Sequence, residues 1–246
     1  MSLQPLGDSP FNYDDYSASR FHHYWLEIES VLRYGPRRML EIGPGDHTVT
    51  DFFRRKGVYV KTLDNDPRLF PDYAGDVRLP FPMTEKFEVV LACEVFEHMD
   101  VSYLPAILEN IKQVLEPGGH LIVSIPYTTL RFFPPRPDHG RFISCEGRLK
   151  AYLPYSALQL ALTPLSVPWR LLKGIKPAEA FEVFGCLPPL PEDHFHSHHW
   201  DLGCWPTTRR KIRKILQSHM TLVEERASVD DNCVFYVLRS EKEPSS

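Results

Sequence analysis

What the chain lacks narrows its class. There is no Cys-x-x-Cys pair: the five cysteines, Cys93, Cys145, Cys186, Cys204 and Cys233, lie far apart and are odd in number. That spacing excludes a zinc ribbon and a disulfide framework, and it favours a reducing compartment, the cytoplasm. No apolar run approaches about 18 residues, and nothing at the start reads as charged flank, apolar core and cleavage site, so neither a membrane span nor export is expected. Basic charge is not in excess either. With 28 Lys and Arg against 32 Asp and Glu the net charge is -4, without the positive balance of a general nucleic-acid binder. No internal repeat is present.

What is there describes an ordinary globular chain with one irregular stretch. At 246 residues, 43% of them hydrophobic, it is long enough to bury one large core. The reading is a single domain over 1–246. Many of its 23 prolines fall between Pro126 and Pro206. Proline removes backbone donors and restricts its predecessor, so Phe132-Phe133-Pro134-Pro135-Arg136-Pro137 and Leu187-Pro188-Pro189-Leu190-Pro191 read as rigid connections rather than a βαβ layer. The aromatic and leucine content there argues against disorder. This divides the domain into a core over 17–126, a cap or substrate lid over 127–204, and a closing helix and hairpin over 205–246.

The order of elements gives the fold class. Apolar positions recur at helical spacing from Ser17 to Arg33, with Ser17 or Ser19 as the cap. Arg38 to Ile42 reads as a buried strand, Thr48 to Lys56 as a helix ended by Gly57, and Val58 to Leu63 as the second strand. A third strand is expected at Tyr73 to Val77 and a fourth at Phe87 to Cys93. A helix over Ser102 to Leu115, stopped by Pro117-Gly118-Gly119, precedes a fifth strand at His120 to Ile125. Thr207 caps a basic helix reaching His219, and strands at Thr221 to Ser228 and Cys233 to Ser240 form a hairpin. Such alternation specifies an α/β, Rossmann-like, doubly wound seven-stranded sheet, mostly parallel with an antiparallel C-terminal hairpin, plus the cap insertion.

One stretch carries chemistry at once. Met39-Leu40-Glu41-Ile42-Gly43-Pro44-Gly45-Asp46 is an apolar strand running into a glycine turn, built for a backbone that approaches its ligand closely. Glu41 would repel the pyrophosphate of a dinucleotide, whereas the sulfonium and ammonium of S-adenosylmethionine suit it. Ligands of open α/β sheets bind outside the carboxyl ends of the strands. Other acidic residues fall at those ends: Asp64 after the second strand, Asp76 after the third, Glu94 and Glu97 after the fourth. At such a position Asp64 can accept from a ribose diol, and Asp76 from an adenine amino group.

With these residues the chain resembles the class I S-adenosylmethionine-dependent methyltransferases, of the small-molecule type, over about residues 38 to 126. Glu41-Ile42-Gly43-Pro44-Gly45 is similar to their glycine motif, Asp64 to the ribose acid, and Gly75-Asp76-Val77 to the adenine segment. Phe87-Glu88-Val89-Val90 through Glu97-His98 resembles the fourth motif. The resemblance implies cofactor contacts from Glu41, Gly43, Gly45, Asp64, Asp76, Val77, Cys93 and Glu94. One departure is visible, Asp46-His47 where the family often has a third small residue.

The acceptor side is less determined. A hydroxyl acceptor benefits from a base or a metal, and His98 and His196 are the candidate catalytic residues. Glu94-x-x-Glu97-His98 with the histidines of Asp193-His194-Phe195-His196-Ser197-His198-His199 resembles metal-assisted enzymes that methylate RNA 3′ ends at the 2′ oxygen. A bland reading stands beside it, since Glu-His after strand four also occurs without metal, so a divalent ion is not expected. The sequence-level conclusion is methyl transfer to an unidentified small acceptor, at oxygen, without nucleic acid or membrane partners and with the oligomeric state open. The rivals are metal-assisted RNA methylation through Glu94, Glu97 and His98, and a non-catalytic methyltransferase-like partner subunit. A nicotinamide oxidoreductase comes last, because it would want a third glycine near Thr48 and no Glu41.

Overall fold

A computed structural model describes residues 18–127, 198–200, 202, 207–228 and 233–241. Seven strands form one sheet: β1 (Arg38–Ile42), β2 (Tyr59–Asp64), β3 (Tyr73–Ala74), β4 (Phe87–Cys93), β5 (Leu115–Pro126), β6 (Thr221–Ser228) and β7 (Cys233–Arg239). Their order is β3-β2-β1-β4-β5-β7-β6. The first five run parallel, while β7 is antiparallel to both β5 and β6. Strand order therefore reverses between β1 and β4, and the crevice outside their carboxyl ends is where a doubly wound sheet receives a ligand.

Two helical layers cover the sheet. On one face α1 (Ala18–Leu32) and α2 (Thr48–Arg55) bury Ile28, Val31, Val49 and Phe53 against Met39, Val60, Val89, Leu91, Ile122 and Val237. On the other, α3 (Leu104–Val114) and α4 (Arg209–His219) bury Leu104, Ile107, Leu108, Ile111, Ile212 and Leu216 against Leu40, Ile42, Val90, Leu121, Val123 and Leu238. Alternate residues of each strand feed opposite cores, which is why the strands read as continuous apolar runs. Among the described residues no helix is long and apolar enough to cross a membrane.

Several boundaries differ from the sequence reading. The third strand is only Tyr73–Ala74, because past Gly75 the chain leaves β2 and is held instead by Asn110, whose side-chain amide donates to the carbonyls of Val77 and Leu79 at 3.1 and 2.8 Å. Strand β5 starts at Leu115, five residues early. Its Pro-Gly-Gly turn is absorbed as an irregularity between the pairs Phe87–Leu115 and Val89–His120. The α4 cap is Thr208, not Thr207: its hydroxyl accepts from the Lys211 amide. Ser19 lies inside α1 rather than ahead of it, and Ser17 is outside the described residues.

The return of the chain after residue 197 is anchored at the same edge. Leu202 pairs with Tyr127 in a parallel bridge and donates its amide to Pro126 at 2.9 Å. The His199 amide reaches the Glu97 carbonyl at 2.7 Å, and the Trp200 indole donates to the Met99 carbonyl at 2.8 Å. Residues 127 and 202, the approximate limits of the expected cap, are thus neighbours in space. The rest of that segment, with His196, Cys145, Cys186 and Cys204, lies outside the described residues.

Candidate active site

The β1 turn is shaped by what a side chain would hit. Gly43 has φ 70°, and a Cβ there would stand 2.6 Å from Val95 Cγ2. Gly45 is also left-handed, at φ 55°. The Gly43 amide donates to the Leu63 carbonyl at 2.9 Å, fastening the turn to β2. His47, at φ 63°, stands where the third small residue of the motif is often found. Its Nε2 lies 2.6 Å from the Leu69 carbonyl, so that nitrogen carries a proton and donates it. Glu41 is buried and takes a hydrogen bond from the Thr50 hydroxyl of α2. Burial pushes its carboxyl up to about 8, against the opposing pull of Thr50.

Asp64, at the end of β2, and Asp76, two residues past β3, have different partners. One oxygen of Asp64 accepts the Asp66 amide at 2.8 Å, and burial raises its pKa. Arg78 clasps Asp76 through both oxygens, its Nε donating to Oδ1 at 3.0 Å and its Nη2 to Oδ2 at 2.6 Å, and this holds the carboxyl below the usual range. Val77 beside it is buried. The order β3-β2-β1-β4 sets the strand ends that lead to Asp76, Asp64, the Glu41–Gly45 turn, and Cys93 with Glu94 side by side along one edge.

At the β4 end the structure adds groups that the local pattern did not reveal. Cys93 is followed by Glu94 in a left-handed backbone, φ 52°. Burial raises the Cys93 thiol well above its ordinary pKa and raises Glu94 against the pull of His23 and Ser124. The Ser124 hydroxyl of β5 donates to Glu94 Oε1 at 2.9 Å. From α1, His23 Nε2 lies 3.0 Å from Glu27 Oε1 and 4.0 Å from Glu94 Oε1. The only sequence signal for His23 and Glu27 is their i, i+4 spacing on an amphipathic helix, which puts them on one face without saying what that face meets.

A second grouping lies one turn further on, at the 3-10 turn Phe96–His98. Glu97 is fully buried, and His98 Nε2 stands 3.8 Å from its Oε1. The ring of His198, carried in by the returning chain, packs edge-on against His98 at 5.0 Å. Glu97, His98 and His198 each offer one ligand atom, all within 4.8 Å of one another, a donor set suited to a borderline divalent ion. Among the described residues the histidine beside His98 is His198, while His196, the candidate base of the sequence reading, lies outside them.

Comparison with known proteins bears on this geometry. The profile of the family described as Methyltransferase domain matches residues 13–160. No curated protein matches the chain. Among solved structures the chain is similar to the N-methyltransferase NodS from Bradyrhizobium japonicum WM9 in complex with S-adenosyl-L-homocysteine. That likeness has 16% identity and a TM-score of 0.54, covering 96% of this chain and 93% of that one. The 1,6-didemethyltoxoflavin-N1-methyltransferase of Burkholderia thailandensis gives 13% identity and a TM-score of 0.51, over 94% and 81% of the two chains. An O-methyltransferase family protein from Burkholderia thailandensis gives 8% and 0.51, over 91% of this chain and 57% of that one. At such identities the likeness is one of fold.

Proposed function

Because the chain belongs to the Methyltransferase domain family, we propose that it transfers the methyl group of S-adenosylmethionine to a small or medium-sized acceptor, at oxygen. The observation that carries this reading is the turn around Gly43, which is closed to any Cβ and lies beside a buried carboxyl, Glu41. A cofactor that brings an ammonium and a sulfonium and no phosphate suits that corner. The structures of NodS and of the toxoflavin-pathway enzyme hold its demethylated form, S-adenosylhomocysteine, which supports the assignment.

In this reading Glu41 and the backbone of Gly43 and Gly45 hold the methionine part, and Asp64 accepts from the ribose diol. Asp76 and Val77 hold the adenine, for which Arg78 yields one carboxylate oxygen. Cys93 and Glu94 border the sulfonium. The bound cofactor supplies an electrophilic methyl group, so aligning the acceptor accounts for most of the acceleration. Oxygen is preferred because a hydroxyl must shed a proton as it is methylated, and His98 and His196 are the candidate bases to take it.

Titration calorimetry with S-adenosylmethionine and S-adenosylhomocysteine tests the first half: a folded sample that binds neither ends the proposal. Labelled-methyl transfer to paired hydroxyl and amine compounds tests the second, and exclusive amine methylation would move the accepting atom to nitrogen. His98→Ala is expected to abolish turnover while leaving cofactor affinity intact.

One grouping favours a second reading. Glu97, His98 and His198 fit a divalent ion, and an ion there would acidify an acceptor hydroxyl. Metal-assisted methylation of an RNA 3′ end is the form suggested by Glu94-x-x-Glu97-His98. It predicts activity lost to a chelator and restored by Mn²⁺ or Mg²⁺, and binding of short RNA; activity indifferent to chelation leaves only the first reading.

A further inference from the structure

The glycine turn hands over to α2 at His47, a residue to which the methyl-transfer reading gives no part. His47 is the N-cap of α2 and sits in the left-handed region, at φ 63° and ψ 12°. Glycine adopts that backbone freely, whereas a residue with a Cβ does so uncommonly. The imidazole makes no hydrogen bond to the helix it starts. Helix entry is served by its neighbour, Asp46, whose Oδ1 accepts the Thr48 amide at 2.9 Å. A ring is therefore kept where a small residue would fit more easily, and helix capping does not explain it. A backbone outlier of this kind directs attention to what its side chain reaches.

The ring reaches the turn after β2. Its Nε2 donates to the Leu69 carbonyl at 2.6 Å. The Leu69 amide in turn donates to the Asp66 carbonyl at 3.1 Å, and the Asp66 amide to Asp64 Oδ1 at 2.8 Å. Three hydrogen bonds in series thus lead from the glycine turn to the Asp64 carboxylate. The 3-10 turn that they cross, Pro67–Leu69, is firm in itself. The buried Asp66 side chain accepts the Arg68 amide at 2.9 Å, and the Phe70 amide donates to the Pro67 carbonyl at 3.1 Å. On the other side of Asp64, the Gly43 amide holds the Leu63 carbonyl at 2.9 Å. Asp64 consequently lies between two ties to one glycine turn, Gly43 to Leu63 and His47 to Leu69.

We propose that His47 is a positioning residue for the cofactor's ribose: through Leu69 and Asp66 it holds the Asp64 carboxylate against the glycine turn, in the place where the ribose diol meets it. The inference rests on the methyl-transfer reading, with Asp64 as the ribose acceptor, and deepens its cofactor side.

Two observations add to the chain of bonds. The ring's other nitrogen, Nδ1, is buried and has no hydrogen-bond partner among the described residues, so the bond to Leu69 is the one that orients the imidazole. The ring also lies within electrostatic reach of the carboxylate it serves. Burial raises Asp64, and His47 is among the groups that oppose the rise, with the amides of Asp66 and Asn65. A carboxylate fixed before its ligand arrives has less freedom to lose on binding, and the gain falls on the ligand atoms that it touches. His47 therefore acts on the diol, and leaves the adenine and methionine ends to other residues.

That selectivity makes the test. The full chain is titrated calorimetrically with S-adenosylhomocysteine and with its 2′,3′-dideoxy analogue, which lacks the diol. The parent should prefer S-adenosylhomocysteine by about tenfold or more, the scale of hydrogen bonds to a charged group. His47→Gly accepts the left-handed backbone without strain and removes no cap, so its melting temperature should be little changed. It should nevertheless lose about fivefold or more in affinity for S-adenosylhomocysteine and no more than about twofold for the dideoxy analogue, so the preference collapses. His47→Gln, whose amide can donate to the Leu69 carbonyl, should restore most of it. Should His47→Gly fail to fold, His47→Asn, which tolerates the left-handed region and is too short to span to Leu69, is read by the same criteria.

Equal weakening of both ligands reports a merely structural role and overturns the proposal. So does a preference that survives His47→Gly, or a His47→Gln no better than His47→Gly. A parent that binds S-adenosylhomocysteine without preferring it to the dideoxy analogue overturns it too, since Asp64 then makes no diol contact to support. A folded parent that binds neither ligand counts instead against the methyl-transfer reading itself.

Discussion

Glu41 is the residue at which cofactor binding and proton binding meet. Burial keeps its carboxyl at about 8, so at pH 7 the free protein holds it mostly protonated. A cationic ligand beside it favours the ionised form, and binding must then release a proton. Calorimetry in buffers of different ionisation enthalpy should show up to one proton released at pH 7, with affinity rising from about pH 6 to 8, about tenfold for each unit by which the ligand lowers this pKa. Glu41→Gln should abolish the proton release. The same shift acts on stability. A carboxyl raised in the folded state binds a proton that the unfolded chain gives up above its model value of 4.5, so stability falls as pH rises toward 8. Melting temperatures measured across that window should decline less steeply in Glu41→Gln. Glu41 was legible because all its signals, strand, acid and glycines, sit within eight consecutive residues. The surroundings of His23 were not, since Glu94 and Cys233 are distant positions that only the folded sheet places beside it.

At the scale of elements, the turns decide more than the strands do. Gly43→Ala meets both a positive φ and Val95 Cγ2 at 2.6 Å. It should weaken S-adenosylmethionine binding, and adding Val95→Ala should recover part of the loss, since a side-chain methyl can be removed where backbone cannot. Gly119 shows the second case. A Cβ there would lie 2.9 Å from the Glu116 carbonyl and 3.0 Å from that of Glu88. Gly119→Ala is therefore expected to cost about 1–3 kcal/mol, read as a lowered denaturant midpoint. This is also where the sequence misled. Pro117-Gly118-Gly119 is strong turn chemistry, yet the pairing of Leu115 with Phe87 carries β5 back through it. Tertiary pairing overrode a local signal. Conversely, Arg38–Ile42 and Phe87–Cys93 were read to the residue, because nothing nearby competes with their apolar runs.

Across the whole molecule, α1 is stitched to the far edge of the sheet. Arg226 of β6 donates to Glu29 at 2.8 Å and to the Ser30 hydroxyl at 3.0 Å, and Arg33 pairs with Glu224 at 3.1 Å. These groups are partly exposed, so each pair contributes about 1 kcal/mol or less. Arg226→Met should leave the melting temperature nearly unchanged. If α1 carries a working part of the site, the same variant should nevertheless slow turnover several-fold with cofactor affinity retained, in steady-state assays on the acceptor panel. Core substitutions behave in the opposite way. Leu108 is fully buried, and Leu108→Ala is expected to cost about 2–5 kcal/mol, seen directly in thermal unfolding.

The stitching also orders events in time. β7 enters the sheet between β5 and β6, and it supplies Cys233 and Phe235 to the seat of His23. Along the chain the glycine turn and the carboxylate row are far from β6 and β7, and α1 has no edge strand to fasten to until that hairpin has docked. The surroundings of His23 are thus a long-range assembly, complete only once the hairpin has docked, which places them among the slow, non-local contacts of folding.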